Sequence, residues 1–523
     1  MPKSMYKKVG IAAVIMMVSV FLSRIIGLAR EMVIAGLCGT GGEVDAYQIA
    51  FVIPEILNHV VACGFMSVTF IPLFSGYLAK GREEEAWHVF SVILTGLGSL
   101  LIFFIGFTMV FAPEIVNFIA PGLNNTELKS DAVRMTRIIL PAQFFFFAGG
   151  LFMAVQFAKD RFAVPALAPL LYNIGIIAGG FFLYPFLGME GFSWGVLAGA
   201  FAGNFALQLW GAKKVGMKYF IALDFKHPDL KKYICLTLPL MLGLTMSFST
   251  EFFIKFFGSF LTEGSIAGLN YSLRIMFVVV GISGQALGVA SFPFMARLAS
   301  ENRIEEMNRL LNDSLKYLAL VIPISVLIIV LRHEVVVMLF KRGRFDAQAS
   351  EVCSNVLMFL MTGAFAFAAQ TVVVRVYYAV QNTLFPAIFG SAAVLLSIPL
   401  YISGVNSMGV RGVALAISLS AVLQVLILYV IWNIRTGNRS GRRVYIFYAK
   451  MTFLSILIGA VLQSFKTGFL SGFDITGFKG SAIVACVIGF LFFIMFAAAG
   501  YVFKIREITE SVNRVLARIK TLV

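Results

Sequence analysis

The sequence predicts an all-α polytopic membrane protein of about fourteen transmembrane helices, arranged as two repeat-related six-helix lobes followed by two C-terminal helices. Three observations carry that expectation. Of the 523 residues 59% are hydrophobic and only 13% charged, with a mean hydropathy of +0.90, whereas a soluble chain carries roughly 25% charged residues. Apolar runs of about twenty residues recur along the whole chain, continuous and not alternating, which selects spanning helices over barrel strands. Prolines and charges in the first half recur in the second at one fixed offset.

The first run, near 9–37, is too long and too charged for a cleaved signal peptide and is expected to stay in the mature protein. Runs near 45–79, 84–112, 130–158, 164–185 and 191–212 complete a first group of six. A basic connection leads to runs near 231–260, 264–298, 305–331, 348–379, 384–403 and 409–434, and two more follow near 446–465 and 480–504. The expected divisions are an N-lobe over 1–222, a C-lobe over 223–436, and a terminal pair with a cytoplasmic tail over 437–523.

The repeat is read from FIPLF against SFPFM, and from FAVPALAP against TLFPAIFG. Pro72 matches Pro293 and Pro165 matches Pro386, both 221 residues apart. The same shift lays Arg82 on Arg303, Glu84 and Glu85 on Glu305 and Glu306, and Gly122 on Gly343. Each half has an even number of helices, so both run in the same direction, as in parallel repeats about an axis along the membrane normal. Two equal bundles flanking a cleft suit alternating access.

A net charge of +16 invites nucleic acid as a partner, but its distribution follows the membrane. Lys3, Lys7 and Lys8, then Lys80 and Arg82, Lys159 and Arg161, and Lys213 to Lys232 fill every second connection; so do Arg297 to Arg309, Arg435 to Arg443, and Lys504 to Lys520. By the positive-inside rule both termini are cytoplasmic. Lys341, Arg342 and Arg344 are the basic exception on the opposite side, where they attract an anion or pair with Asp346.

Soluble-type catalysis has no support. The five cysteines are scattered, no Cys or His pair has metal-ligand spacing, and no Walker loop, G-x-S-x-G or D-x-D is present. No metal and no cofactor is expected. The chemistry concentrates instead in Ser23 to Phe51, which carries Arg24, Arg30 and Glu31 inside a spanning run. A charge at bilayer depth costs roughly 2.5 to 3.5 kcal/mol, and so by default marks a substrate or ion path. Arg30 shares a helical stripe with Ser23 and Gly27. The structural alternative is that Arg30 and Glu31 neutralise local charge near a helix end.

Together the motifs resemble the MurJ (MviN) lipid II flippase family of the multidrug/oligosaccharidyl-lipid/polysaccharide exporter superfamily. They are SRIIGLARE with GGEVDAYQIAFVIP, FIPLF, DRFAVPALAPLLYNIGII, NYSLR with GQALGVASFPF, LFKRGRFD and YYAVQNTLFPA. The resemblance spans nearly the whole chain. It implies a monomeric transporter of the bacterial inner membrane that moves an undecaprenyl-pyrophosphate-linked precursor to the periplasmic leaflet, with a portal between helices one and eight and a lipid groove by the last two helices. By motif, Ser23, Arg24, Arg30 and Glu31 match the family's first-helix cluster, Asp45 the acid opening helix two, and Arg274 the helix-eight arginine.

A pyrophosphate removed from water needs charge-assisted, bidentate donors, which arginine supplies. Arg30 and Arg274, one from each half, are expected to bracket it, with Arg24, Ser23, Asn58 and Arg375 lining the path; for Arg274 the alternative is an ion pair with Glu55 or Glu31. Gating or coupling falls to Glu31, Asp45, Glu55 with His59 one turn on, and Glu251 with Lys255. Coupling to protons or to membrane potential is the expected energy source. The sequence departs from the family at the wall of the cavity: Asn58 and His59 stand where helix two has arginines, Cys63 replaces an acid, and Leu273 and Phe277 occupy positions where helix eight has acids. These departures keep a second substrate open, another polyprenyl-linked oligosaccharide. A cation-drug antiporter, which needs an acidic cavity, is disfavoured by Arg30 and Arg274; a glycosyltransferase and a non-transporting scaffold rank lower still.

Overall fold

In a bilayer every main-chain N–H and C=O must be satisfied within its own segment, and among the described residues every regular element is a helix. The computed structural model describes residues 3–61, 69–242, 245–510 and 513, and side chains within 14–57, 69–237, 250–510 and 513. The helices are α1 (Lys3–Cys38), α2 (Gly42–Ala50), α3 (Val52–Val61), α4 (Ile71–Ala79), α5 (Glu83–Val110), α6 (Ala112–Ile119), α7 (Thr126–Ile139), α8 (Ala142–Ala158), α9 (Ala163–Leu187), α10 (Glu190–Gly199), α11 (Leu207–Lys214), α12 (Pro228–Leu242) and α13 (Thr245–Gly258). There follow α14 (Ser265–Val280), α15 (Ala286–Ser300), α16 (Ile304–Leu318), α17 (Val321–Val330), α18 (Arg332–Phe340), α19 (Ala347–Met361), α20 (Ala364–Ala379), α21 (Leu384–Met408), α22 (Val410–Thr436), α23 (Gly441–Phe469) and α24 (Phe478–Val502). Wide π turns at Ala200–Ala206 and Gly281–Gln285 join α10 to α11 and α14 to α15.

Among the described residues nine helices are long and apolar enough to cross a membrane, or ten if the bent pair α19 and α20 is one span. The other four expected spans, near 9–37, 45–79, 191–212 and 231–260, correspond to α1, to α2 through α4, to α10 with α11 across a π turn, and to α12 with α13.

The internal repeat is written into the backbone. Left-handed residues close the same turns in both halves at the 221-residue offset: Gly81 and Asn302, Asp160 and Gln381, Gly188 and Gly409, the last two at φ 56° and 57°. Helices α9 and α21 occupy equivalent positions and are both 25 residues long.

Helix contacts gather the chain into two units, Met1–Ala267 and Gly268–Val523. In the first, α9 and α10 meet through glycines: a Cβ on Gly179 would lie 2.5 Å from the Gly195 Cα, and one on Gly175 would overlap Gly199. Small residues permit such close approach, and the approach yields packing energy where lipid gives no hydrophobic drive. In the second unit Gly404 of α21 meets Gly412 of α22 in the same way. Of the terminal helices, α23 packs on α17 and α24 on α18 and α23, around Met451, Ile458, Leu462, Val484 and Ile488. There Lys466 of α23 donates to the fully buried Glu334 carboxylate at 2.8 Å, so the one buried acid of α18 is neutralised.

On the basic segment between α18 and α19 the structure chooses against pairing with Asp346 for two of the three cations. Lys341 donates to the Thr476 carbonyl at 2.7 Å and Arg342 to the Leu339 carbonyl at 2.7 Å, while Asp346 caps α19 by accepting from Ala349 N at 2.8 Å.

Candidate functional site

Helix α1 carries Arg30 and Glu31 side by side, 17% and 2% exposed. Arg30 Nη2 donates to Glu31 Oε1 at 2.6 Å, and Nη1 donates to Asn173 Oδ1 of α9 at 3.2 Å. Asn173 is itself held, its Nδ2 donating to the Pro169 carbonyl at 2.8 Å, so its oxygen is the end that faces Arg30. A second polar stitch between α1 and α9 runs from Ser19 Oγ to the Ala166 carbonyl. The buried Arg30 Nε has no hydrogen-bond partner among the described residues. The guanidinium is thus neutralised and oriented yet keeps a spare donor, and an anion that reaches it competes with Glu31 for the cation.

Asp45 of α2 is committed to a helix cap. Its two carboxylate oxygens accept from Gly264 N and Ala267 N, each at 2.7 Å, at the start of α14. A carboxylate there satisfies orphan N–H groups and opposes the positive end of the helix dipole. Gly264 makes the approach feasible at φ +87°, with the Thr40 carbonyl pressed where a Cβ would stand. Further along, Glu251 and Lys255 of α13 form an ion pair one turn apart, with Lys255 only 2% exposed.

The other expected residues are spread over several helices. Arg24 is exposed on α1 and Ser23 half-buried, Glu55 is half-buried on α3, and Arg274 is half-buried on α14. Arg375 is half-buried on α20, against Gly288 of α15: a Cβ at 288 would overlap Arg375 Nη1, and that buried nitrogen has no hydrogen-bond partner among the described residues. Asn58 and His59 belong to α3 but their side chains lie outside the described residues, as does Cys63 altogether. Among the described residues no group of three or more His, Cys, Asp or Glu is placed to hold a metal ion.

The family model for the lipid II flippase MurJ matches residues 34–502. The chain belongs to the MurJ lipid II flippase family. A probable lipid II flippase MurJ of Buchnera aphidicola subsp. Baizongia pistaciae is 28% identical over 415 residues, covering 78% of this chain and 80% of the relative. A solved lipid II flippase MurJ in an inward closed conformation superposes with a TM-score of 0.75 at 23% identity, covering 94% of this chain and 99% of that one. An inward-facing multidrug resistance MATE family transporter of the MOP superfamily superposes at 0.67 and 15% identity, covering 79% and 94%. The two structural likenesses are of fold. Membership of the MurJ family makes the chain a polytopic membrane transporter and not an enzyme.

Against that membership, the residue that sequence reasoning passed over is Asn173, which orients Arg30. Its signal lay in DRFAVPALAPLLYNIGII: an asparagine inside an apolar run, four residues after a proline, on a helix that has to meet the cationic stripe of α1. Burying an amide in such a run is costly unless it has a partner, and the partner is the arginine.

Proposed function

We propose that this chain carries lipid II, the undecaprenyl-pyrophosphate-linked peptidoglycan precursor, from the cytoplasmic to the periplasmic leaflet by alternating access. The observation that carries the reading is the Arg30 guanidinium, buried in a membrane helix of a MurJ-family chain with one donor uncommitted. A diphosphate supplies the charge and the acceptor oxygens that this donor lacks. Arg274 on α14 is the second guanidinium of the site, and Arg24, Ser23, Asn58 and Arg375 line the route. Glu31 acts as a stand-in anion that holds Arg30 until the headgroup arrives. Asp45 holds the first turn of α14, Glu251 with Lys255 steadies α13, and Glu55 with His59 is the proton-sensitive pair through which protons or membrane potential drive the cycle.

In this reading the protein is a monomer in the bacterial inner membrane with both termini cytoplasmic, as the distribution of lysine and arginine supports. Its parts are an N-lobe over 1–222, a C-lobe over 223–436 and the terminal pair over 437–523. One observation favours a second cargo, another polyprenyl-linked oligosaccharide: Asn58 and His59 stand where the family has helix-two arginines. The test is rescue of a strain depleted of its own lipid II flippase. Rescue supports lipid II; failure at normal membrane expression favours the other glycan.

A further inference from the structure

Where α20 ends and α22 gives way to α23, the second unit contains a cavity of about 480 Å³ walled by Tyr377, Val380, Asn382, Trp432 and Thr436, with Ile304 and Arg435 completing the lining. No carboxylate is among these residues. Arg435 is exposed and its guanidinium carbon lies 4.0 Å from the centre of the Phe385 ring. A guanidinium stacked on an aromatic face keeps its in-plane N–H groups for an acceptor. Asn382 uses its oxygen to accept from Phe385 N at 3.0 Å, which leaves its amide NH₂ as a donor. Three other polar groups are committed: Trp432 Nε1 donates to Asn308 at 2.8 Å, the Thr436 hydroxyl to the Trp432 carbonyl at 2.9 Å, and the Tyr377 hydroxyl to the Leu428 carbonyl at 2.7 Å.

The internal repeat supplies a control. At the 221-residue offset Ile304, Val380 and Thr436 correspond to Glu83, Lys159 and Val215. In the first unit Lys159 Nζ bonds Glu83 Oε1 at 2.5 Å and the Val215 carbonyl at 3.0 Å, so an ion pair occupies the equivalent place. In the second unit both partners of that pair are aliphatic. The cation that corresponds to Arg435 is retained as Lys214, 3.7 Å above the Trp210 ring. The second unit has therefore lost that ion pair, acid and lysine together, while keeping a ring-stacked cation at the position of Lys214, seated on Phe385 where the first unit uses Trp210 from a different position.

We propose that this cavity is an anion site for a phosphate group, held by Arg435 and the Asn382 amide. Its phosphate comes either from the phosphodiester of an anionic phospholipid at the membrane face or from free phosphate. The neighbouring Arg439, Arg442 and Arg443 raise the local positive potential, and clusters of this kind beside membrane helices attract anionic lipid at roughly 1 kcal/mol per cation.

The test uses the full-length protein in detergent with added phosphatidylglycerol, phosphatidylethanolamine or inorganic phosphate at constant ionic strength, reading bound lipid by native mass spectrometry and the thermal midpoint. Phosphatidylglycerol is expected to be retained and to raise the midpoint, phosphatidylethanolamine not, and Arg435→Gln to weaken retention about fivefold. The double variant Ile304→Glu with Val380→Lys rebuilds the first unit's ion pair and is expected to abolish retention with Arg435 intact. A saturable response to inorganic phosphate that both variants lose makes soluble phosphate the ligand of the same site. Retention and midpoint shift unchanged in both variants, or no response of the wild type to either anion, overturns the proposal.

Discussion

Arg30 and Glu31 are consecutive on α1 and yet form an ion pair, Nη2 to Oε1 at 2.6 Å. Consecutive helical side chains leave the axis about 100° apart and do not face each other. The long Arg30 side chain reaches back to make the pair with Nη2, while Asn173 of α9 accepts from Nη1 and fixes the other end of the guanidinium. Removing Glu31 leaves the buried cation to the amide alone. Since breaking a buried pair from one side costs about 3–5 kcal/mol and Arg30 keeps 17% exposure, Glu31→Ala is expected to fall at the low end. Thermal unfolding in detergent measures it; Glu31→Gln, which keeps the size but not the charge, should bind the diphosphate headgroup more tightly and release it more slowly.

Asn173→Leu is expected to cost about 1 kcal/mol, the net worth of a hydrogen bond, and to lower transport without abolishing it, because Glu31 still holds Arg30. Asn173→Asp adds a second carboxylate at the guanidinium and should slow transport more than Asn173→Leu does. Headgroup translocation rates for the two variants, compared at equal expression, check the order.

Asp45→Ala removes the acceptor for two main-chain N–H groups at the start of α14 and is expected to lower stability by about 1–2 kcal/mol. Asp45→Asn keeps an acceptor oxygen and should lose less than half as much. Hydrogen exchange of the Gly264 and Ala267 amides reads the cap directly, with exchange fastest in the alanine variant.

Two glycine substitutions separate packing from backbone strain. Gly179→Ala puts a methyl 2.5 Å from the Gly195 Cα and forces α9 and α10 apart, at about 1–3 kcal/mol. Gly188→Ala meets nothing within 4 Å and loses only the left-handed backbone freedom at φ 56°, about 1 kcal/mol. Midpoints that rank them the other way would show that helix approach is not what the small residues serve.

The fold class was legible because bilayer length and the internal repeat act on every residue: the Pro165 and Pro386 match at one offset is the same offset at which Gly188 and Gly409 turn left-handed. Span ends moved by a few residues where terminal turns continue, as in α23, read as 446–465 and observed as Gly441–Phe469. The site was half legible. A charge inside an apolar run announces itself, so Arg30, Glu31 and Asp45 stand out, but what each one binds depends on helix neighbours that no local pattern encodes. Asn173 for Arg30, and the α14 N-terminus for Asp45, are contacts 143 and 219 residues distant in sequence. Arg375 shows the reverse case: its basic character was plain, while the niche beside it exists because residue 288 is a glycine on another helix.

The most direct measurement is translocation of a headgroup-labelled lipid II by the purified protein in sealed vesicles, wild type beside Arg30→Ala and Arg274→Ala. The account predicts transfer between leaflets by the wild type and loss of it in both variants, each folded and inserted. Wild-type rates in either variant would remove that guanidinium from the path, and no transfer by a folded wild type would contradict lipid II as the cargo.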